Sequence, residues 1–412
     1  MDYVFYFDES FHDRKIVIAE NGKINTLRND AIDDYVGVFW GCERSKLDTY
    51  IKDLTAFENN YRTIFGLPAD KEFKSEIIKQ KNYQYGIRTF SKNAMDFYCD
   101  LFCMLEHWEF ILQVNIVSKI ELLIRNALNS VTFPYFANRN SFIYSLAKLI
   151  VVNRPKQLLE ALEGVAAGDS PLVFRNALLD TLRAIMAASE GVPRKEKTIE
   201  AFSEICYIVE SMSFNVTPTT KIDFLYFINF DGLCKLLGEL NIRPQSIKIT
   251  IDTEENTFKA AQDYKFGRVK QGKSDSSIQL RLADFLSGFI GRMIYAMTHD
   301  ESTRELPLEN ISLIDLEDIK EKRLLNPKWF ELTARHFDLY KLVYKVLIEQ
   351  HSHYWTTLTL AYNDDTICFF ALLRYIASYP TYHDFTAVLP ELHSEYFNAR
   401  AVDELAEYYL SL

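Results

Sequence analysis

The chain reads as an α/β protein of the α+β kind, with a mixed sheet drawn from two separated stretches, a helical insertion between them and an all-helical C-terminal lobe. Three observations predict this. Short apolar runs of strand length recur at Tyr3–Asp8, Phe110–Val117 and Ser246–Asp252. Apolar residues recur at helical spacing through most of 120–245 and again beyond Pro307. Only 14 Gly and 11 Pro punctuate 412 residues, which favours helix over long irregular loops.

Taken in order, Met1–Ser10 opens on a strand, apolar on both faces up to Asp8, where it is expected to end. Arg14–Glu20 is a second strand, closed by the tight-turn pair Asn21-Gly22, and Tyr35–Trp40 is a third. Three strands before any helix suggest an antiparallel meander. Leu47, Ile51, Leu54, Phe57, Tyr61 and Ile64 then mark a helix with Ser45 as its cap, ended by Gly66 and Pro68. A second helix is expected over Ser91–His107, and Phe110–Val117 reads as a buried fourth strand parallel to its neighbours. Helices broken at Gly168–Pro171 and Gly191–Pro193 fill the insertion. Ser246–Asp252 returns to the sheet, Ser277–Met297 is a long helix, and Phe330–Gln350 and Tyr354–Tyr379 are the main runs of the last lobe. The expected division is 1–120 and 246–300 as the core, 121–245 as the insertion and 301–412 as a separate helical lobe.

A formal net charge of −11 argues against a protein that coats nucleic acid by bulk electrostatics, although it leaves room for a local basic strip. Six cysteines show no Cys-x-x-Cys pairing and no zinc cadence, so a reducing, cytoplasmic setting with thiols as small core residues is expected. No apolar run reaches the roughly 18 to 20 residues of a membrane span, and no leader is read at the N-terminus.

The chemistry rests on acids. Asp8 and Asp252 each finish a strand, and Asp284 lies on a helix that is otherwise apolar around most of its circumference. The plain reading of Asp8 is a turn residue, since Asp-Glu-Ser is good turn chemistry. The plain reading of Asp284 is an ion pair with Arg281, three residues earlier on the same stripe, with Arg292 as a weaker partner. Gly288 and Gly291, on that stripe too, would let the helix approach another backbone. The sharper reading gathers the three aspartates around divalent cations, because hard ions such as Mg²⁺ or Mn²⁺ are held by a few carboxylates, water and substrate phosphate.

The words Phe-Tyr-Phe-Asp8-Glu-Ser10, Lys71-Glu-Phe-Lys74-Ser and Ile278-Gln-Leu-Arg-Leu-Ala-Asp284-Phe-Leu-Ser-Gly288, in this order, resemble the bacterial domain of unknown function numbered 3800. The resemblance covers roughly 1–125 and 221–298. It implies an RNase H-like core, nuclease activity and a setting beside anti-phage defence genes. It also implies Asp8 as first and Asp284 as last metal ligand, Asp252 as the strand acid that orients a metal or water, and Glu72 as the fourth acid, with Glu76 competing. This chain departs from the family pattern at Phe11, where Gly is usual, and at Arg281, where Gln is usual. Glu9 is expected on the opposite sheet face from Asp8.

Gly267-Arg-Val-Lys-Gln-Gly-Lys-Ser274 fits a phosphate-loop pattern, but the residues before it are too polar for the buried strand such a loop follows. Read instead as a basic loop, Lys259, Lys265, Arg268, Lys270 and Lys273 lead into the helix of Asp284 and suit a phosphate backbone. Lys74 and Lys119, the latter just past the fourth strand, join them as candidate substrate contacts. His351-x-His353 is a poor metal pair, because residues two apart on a helix face different ways.

The expectation is therefore a Mg²⁺- or Mn²⁺-dependent nuclease acting on DNA or RNA, with a protein partner meeting the insertion or the C-terminal lobe and no membrane association. The competing expectation is a catalytically inactive subunit that keeps the fold and binds nucleic acid or protein without cutting.

Overall fold

The computed structural model describes residues 2–10, 33–68, 70–191, 196–214, 226–300, 325–351 and 361–410. The predicted strand Arg14–Glu20, Phe11 and His353 lie outside them.

The centre is a five-stranded mixed sheet. Its strands are β1 (Tyr3–Ser10), β2 (Asp34–Glu43), β4 (Ile111–Ser118), β7 (Ile247–Ile251) and β8 (Arg268–Gln271), in the order β4-β2-β1-β7-β8. A short strand, β3 (Gln84–Ile87), stands apart from it. β1 is flanked by β2, antiparallel with Asp8 opposite Val38, and by β7, parallel with Phe7 opposite Ile251. The expected meander is thus not the arrangement around β1, because the strand predicted third pairs with the first directly. β4 is buried as expected but runs antiparallel to β2, its partner, which corrects the expected parallel pairing. A run dense in apolar residues reports burial on both faces and carries no information on direction.

Side-chain alternation divides the sheet into two faces. Phe5, Phe7, Phe39, Ile247, Ile249 and Ile251 pack under α8 (Phe227–Glu239) and α9 (Glu255–Gln262). Val4, Tyr6, Val38, Trp40, Leu112 and Val114 face the other way, into the largest core, with α1 (Leu47–Ile64), α2 (Lys92–Glu106) and α10 (Ile278–Thr298). α10 lies across β1 and β2, and the Trp40 indole N–H donates to the Gln279 carbonyl at 2.7 Å, fixing where that helix begins. Ser277 caps α10, its hydroxyl accepting from the Leu280 amide. Ser45 does not cap α1: its hydroxyl turns to Glu43 and the helix starts at Leu47.

Helices α3 (Lys119–Ala127), α4 (Arg139–Asn153), α5 (Lys156–Ala167), α6 (Pro171–Ser189) and α7 (Glu196–Ser211) build a second core of their own. The two-residue strands β5 (Val131–Thr132) and β6 (Ser213–Phe214) pair at its edge. The C-terminal helices α11 (Ala334–Tyr344), α12 (Asp364–Ala377), α13 (Tyr382–Thr386) and α14 (Pro390–Leu410) are not a separate lobe. Phe337, Tyr340, Phe369, Leu372 and Phe397 belong to the same core as Tyr6, Trp40 and Phe289. Of the run expected over 354–379, residues 364–377 form a helix, and 352–360 lie outside the described residues. Glu121 of α3 accepts from the Ala361 and Tyr362 amides at 2.9 and 2.7 Å, tying the insertion to these helices. Among the described residues no helix is long and apolar enough to cross a membrane.

Candidate acidic site

Because β1 and β7 are parallel and Phe7 lies opposite Ile251, Asp8 and Asp252 come next in register at the same end of neighbouring strands, roughly 5 Å apart in backbone spacing. Phe7 and Ile251 point into the α8–α9 face, so both aspartates point the other way, towards α10. The C-terminal ends of parallel strands are where open α/β sheets bind ligands. β1 runs on to Ser10, so Asp8 is a strand residue and not the turn residue of the plain reading. Glu9 faces the α8–α9 side as expected, where it accepts hydrogen bonds from the Tyr35 and Thr257 hydroxyls. The Asp252 Oδ1 accepts from its neighbour Thr253 N at 2.7 Å and from Ser274 N at 3.2 Å, which holds the loop before α10 against the strand end.

Asp284 reaches this end from α10 and is half-buried. Its two carboxylate oxygens accept from the Ser75 amide at 2.6 Å and the Ser75 hydroxyl at 2.8 Å. Arg292 donates to that same hydroxyl at 3.2 Å. Gly288 is what admits Ser75, since a Cβ there would fall 2.4 Å from its Oγ and 2.6 Å from its Cβ. The expected Arg281–Asp284 ion pair does not form. Arg281 bonds Glu58 of α1 at 2.8 Å and the Ser274 carbonyl at 2.6 Å. Helical side chains lean towards the N-terminus, so the long Arg281 reaches back to the preceding loop while the short Asp284 meets the chain crossing at Gly288.

The electrostatics show that the acids share one environment. Burial pushes the Asp8 carboxyl well above its ordinary value, and the negative charges of Asp284 and Asp252 push it further. Burial likewise raises Asp284, partly offset by the two Ser75 hydrogen bonds and the charges of Arg292 and Lys74. Lys74 pairs with Glu72 at 3.3 Å. Its partial burial disfavours the ammonium, but Glu72, Asp284 and Asp252 together hold its pKa above the ordinary value. The other Glu72 oxygen, Oε1, is buried with no hydrogen-bond partner, whereas Glu76 is exposed. An all-carboxylate donor set with one buried oxygen unsatisfied is chemistry that suits a hard divalent ion. Among the described residues, however, no three His, Cys, Asp or Glu side chains lie close enough together to hold a metal. The acids are assembled at one place but stand apart.

The basic candidates divide. Lys119 is wholly buried at the start of α3, its charge beside Asp33, so the expected phosphate contact is corrected: no substrate backbone reaches it. Lys259 is paired with Glu255 at 2.7 Å on α9. Lys265, Arg268, Lys270 and Lys273 are exposed, and Lys74 is half exposed beside Glu72. The stretch read as a basic loop is in part the strand β8, paired parallel to β7. An extended strand between the two glycines cannot wrap its amides around a phosphate, so the loop pattern is accidental. His351 packs against Phe110 with the rings tilted by 58° and their centroids 4.4 Å apart, and burial lowers its pKa to about 4.

The sequence reading misses Ser75 as a holder of Asp284, although Ser75 lies within one of the words singled out, and it ranks Arg292, whose charge does bear on Asp284, below Arg281, which turns away. It also misses Lys248 and Arg44, whose setting emerges only from strand register. The chain matches no family model, no curated protein and no solved structure.

Proposed function

We propose that the protein is a divalent-metal-dependent nuclease on an RNase H-like core, cleaving phosphodiester bonds of DNA or RNA. The observation that carries this is that Asp8 and Asp252 follow each other in register at one end of neighbouring parallel strands, on the side where Asp284 bears on the Asp8 charge, while Glu72, paired with Lys74, keeps a buried Oε1 without a partner. Asp8, Asp252, Asp284 and Glu72 would hold Mg²⁺ or Mn²⁺, which when bound supplies charge stabilisation at phosphorus and an activated water. Ser75 and Arg292 orient the Asp284 carboxylate, and Lys74 neutralises the acids from the solvent side. Six free thiols suit a reducing cytoplasm.

A second reading, a subunit that binds nucleic acid without cutting it, is favoured by one observation: Ser75 occupies both Asp284 oxygens and Lys74 pairs with Glu72, leaving the acids apart. A cleavage panel of single- and double-stranded DNA and RNA with Mg²⁺ or Mn²⁺ separates the two. The nuclease reading expects cutting by the wild type and at least a 100-fold loss in Asp8→Ala and Asp284→Ala, in line with the several kcal/mol that metal-assisted catalysis supplies. Equal rates in wild type and variants would assign the activity to another site.

A further inference from the structure

The sheet face that carries Asp8 and Asp252 is covered by α10 over β1 and β2, but no described helix packs comparably on it over β7 and β8. Alternation identifies what lies there. Ile247, Ile249 and Ile251 point into the α8–α9 core, so Lys248 and Thr250 point the other way with Asp252; Thr250 is itself buried, while Lys248 and Asp252 are partly exposed. Arg268 is in register with Lys248, and Lys270 with Thr250, while Val269 between them packs into the α8–α9 core. Arg44, just past β2, follows Cys42 and Trp40 by alternation onto that same side, and burial together with the charges of Lys270, Arg268 and Arg44 lowers the Lys248 pKa. Gly272 continues the row, and a Cβ there would meet Thr250 at 2.9 Å and Leu280 of α10 at 3.1 Å, so its lack of side chain keeps the floor low where the row meets α10.

Four cations therefore share one open surface, and among the described residues none of Arg44, Lys248, Arg268 and Lys270 forms an ion pair. In a chain of net charge −11, such uncompensated repulsion is an unusual thing to retain. Along β7 the row from Lys248 to Asp252 is four residues, about 13 Å at strand rise. The row leads from the cations directly to the acids.

We propose that the open face of β7 and β8 is a track for the phosphate backbone of a nucleic-acid strand, gripped by Arg44, Lys248, Arg268 and Lys270 and delivered towards Asp252 and Asp8. The track rests on the nuclease reading for its direction, while its binding is independent of catalysis. Its spacing suits a backbone: Arg268 and Lys270 stand about 7 Å apart on one side of an extended strand. A bland alternative exists in which lysines on an edge strand only discourage pairing with another chain.

The test is fluorescence anisotropy of labelled single-stranded and duplex oligonucleotides of DNA and RNA with the full chain in EDTA, so that cutting plays no part. Comparison is with Lys248→Gln/Lys270→Gln, with the fourfold variant that adds Arg44→Gln and Arg268→Gln, and with Lys156→Gln/Lys235→Gln on remote exposed positions. Wild type is expected to bind with a strong salt dependence. The fourfold variant should bind at least 10-fold more weakly at low salt, its log–log salt slope shallower by about 3 from the loss of four phosphate contacts, and the double variant should fall between. The remote variant should match wild type. An unchanged slope in the fourfold variant, an equal loss in the remote variant, or no binding by wild type would each overturn the track. Self-association of the fourfold variant with undiminished binding would assign the cations to edge protection and overturn it as well. Binding that maps to the four cations in a protein that cuts nothing would sustain the track while removing the nuclease reading.

Discussion

Gly288→Ala is the substitution whose outcome depends most directly on the described geometry. In a helix interior Ala is favoured over Gly by about 0.5–1 kcal/mol, so on propensity alone the change stabilises. Here the new Cβ would lie 2.4 Å from Ser75 Oγ, 2.5 Å from Arg292 Nη1 and 2.6 Å from Ser75 Cβ. The guanidinium can swing away, but the Ser75 Cβ cannot without carrying its backbone, and that backbone is bonded to Asp284 at 2.6 Å. Restoring ordinary contact needs a shift of roughly 1 Å, which breaks both Ser75–Asp284 bonds. Overpacking of this kind costs about 1–3 kcal/mol, enough to outweigh the helical gain. Gly238→Ala in α8 is the matched control, because nothing lies within 4 Å of its Cβ position and only the propensity term applies. Urea unfolding with a common m value should show Gly288→Ala destabilised by about 1–2 kcal/mol and Gly238→Ala stabilised by a few tenths or more. Equal stabilisation by both would refute the packing of Ser75 against α10.

The remaining predictions concern the acids and their supports. Asp8→Asn should make the metal-free protein more stable at neutral pH: the folded pKa is raised, so the native state holds its proton more tightly and wild-type stability falls as pH rises from about 3.8 through the folded value. Thermal melts from pH 3 to 8 should show the two proteins converging at the acid end; a gap that widens towards low pH would contradict the sign. Excess Mn²⁺ should raise the melting temperature of wild type, and less so that of Asp8→Ala and Asp284→Ala; the same shift in all three would place the ion elsewhere. Arg281→Met should cost about 1–3 kcal/mol by leaving the buried Glu58 Oε2 without its donor while Arg62 still holds Oε1 at 2.8 Å, and adding Glu58→Gln should recover part of it; no measurable loss would show the pair to be solvated.

The legible part of the fold is what apolar spacing controls. Tyr3–Ser10, Lys92–Glu106, Ile247–Ile251 and Ile278–Thr298 fall within a few residues of expectation because each buries a face of fixed period. Direction and order do not leave that trace: Ile111–Ser118 is equally apolar whichever way its neighbour runs. Arg268–Gln271 escapes recognition because an edge strand may expose three polar residues of four and still complete its ladder. The candidate acids stand out as carboxylates within or just past buried apolar elements, where burial alone demands a reason. Their chief support does not: the stripe shows that a backbone can cross at Gly288 and that Arg292 is near, but no local pattern says that the crossing chain is Ser75. Lys119 shows the reverse error: a cation just past a strand looks like a substrate contact, yet α3 begins there and buries it.

Gathering Asp8, Asp252, Asp284 and Glu72 at one half-buried place creates mutual repulsion. Ser75, Arg292 and Lys74 relieve it in different ways: two hydrogen bonds on Asp284, a positive charge behind it, and an ammonium shared by Glu72 and the aspartates. Of these, Lys74 is on the solvent side and half exposed, whereas Ser75 and Arg292 are buried. The site therefore holds Asp284 firmly from the helix layer, while the opening strand supplies the acid whose charge is most strongly opposed.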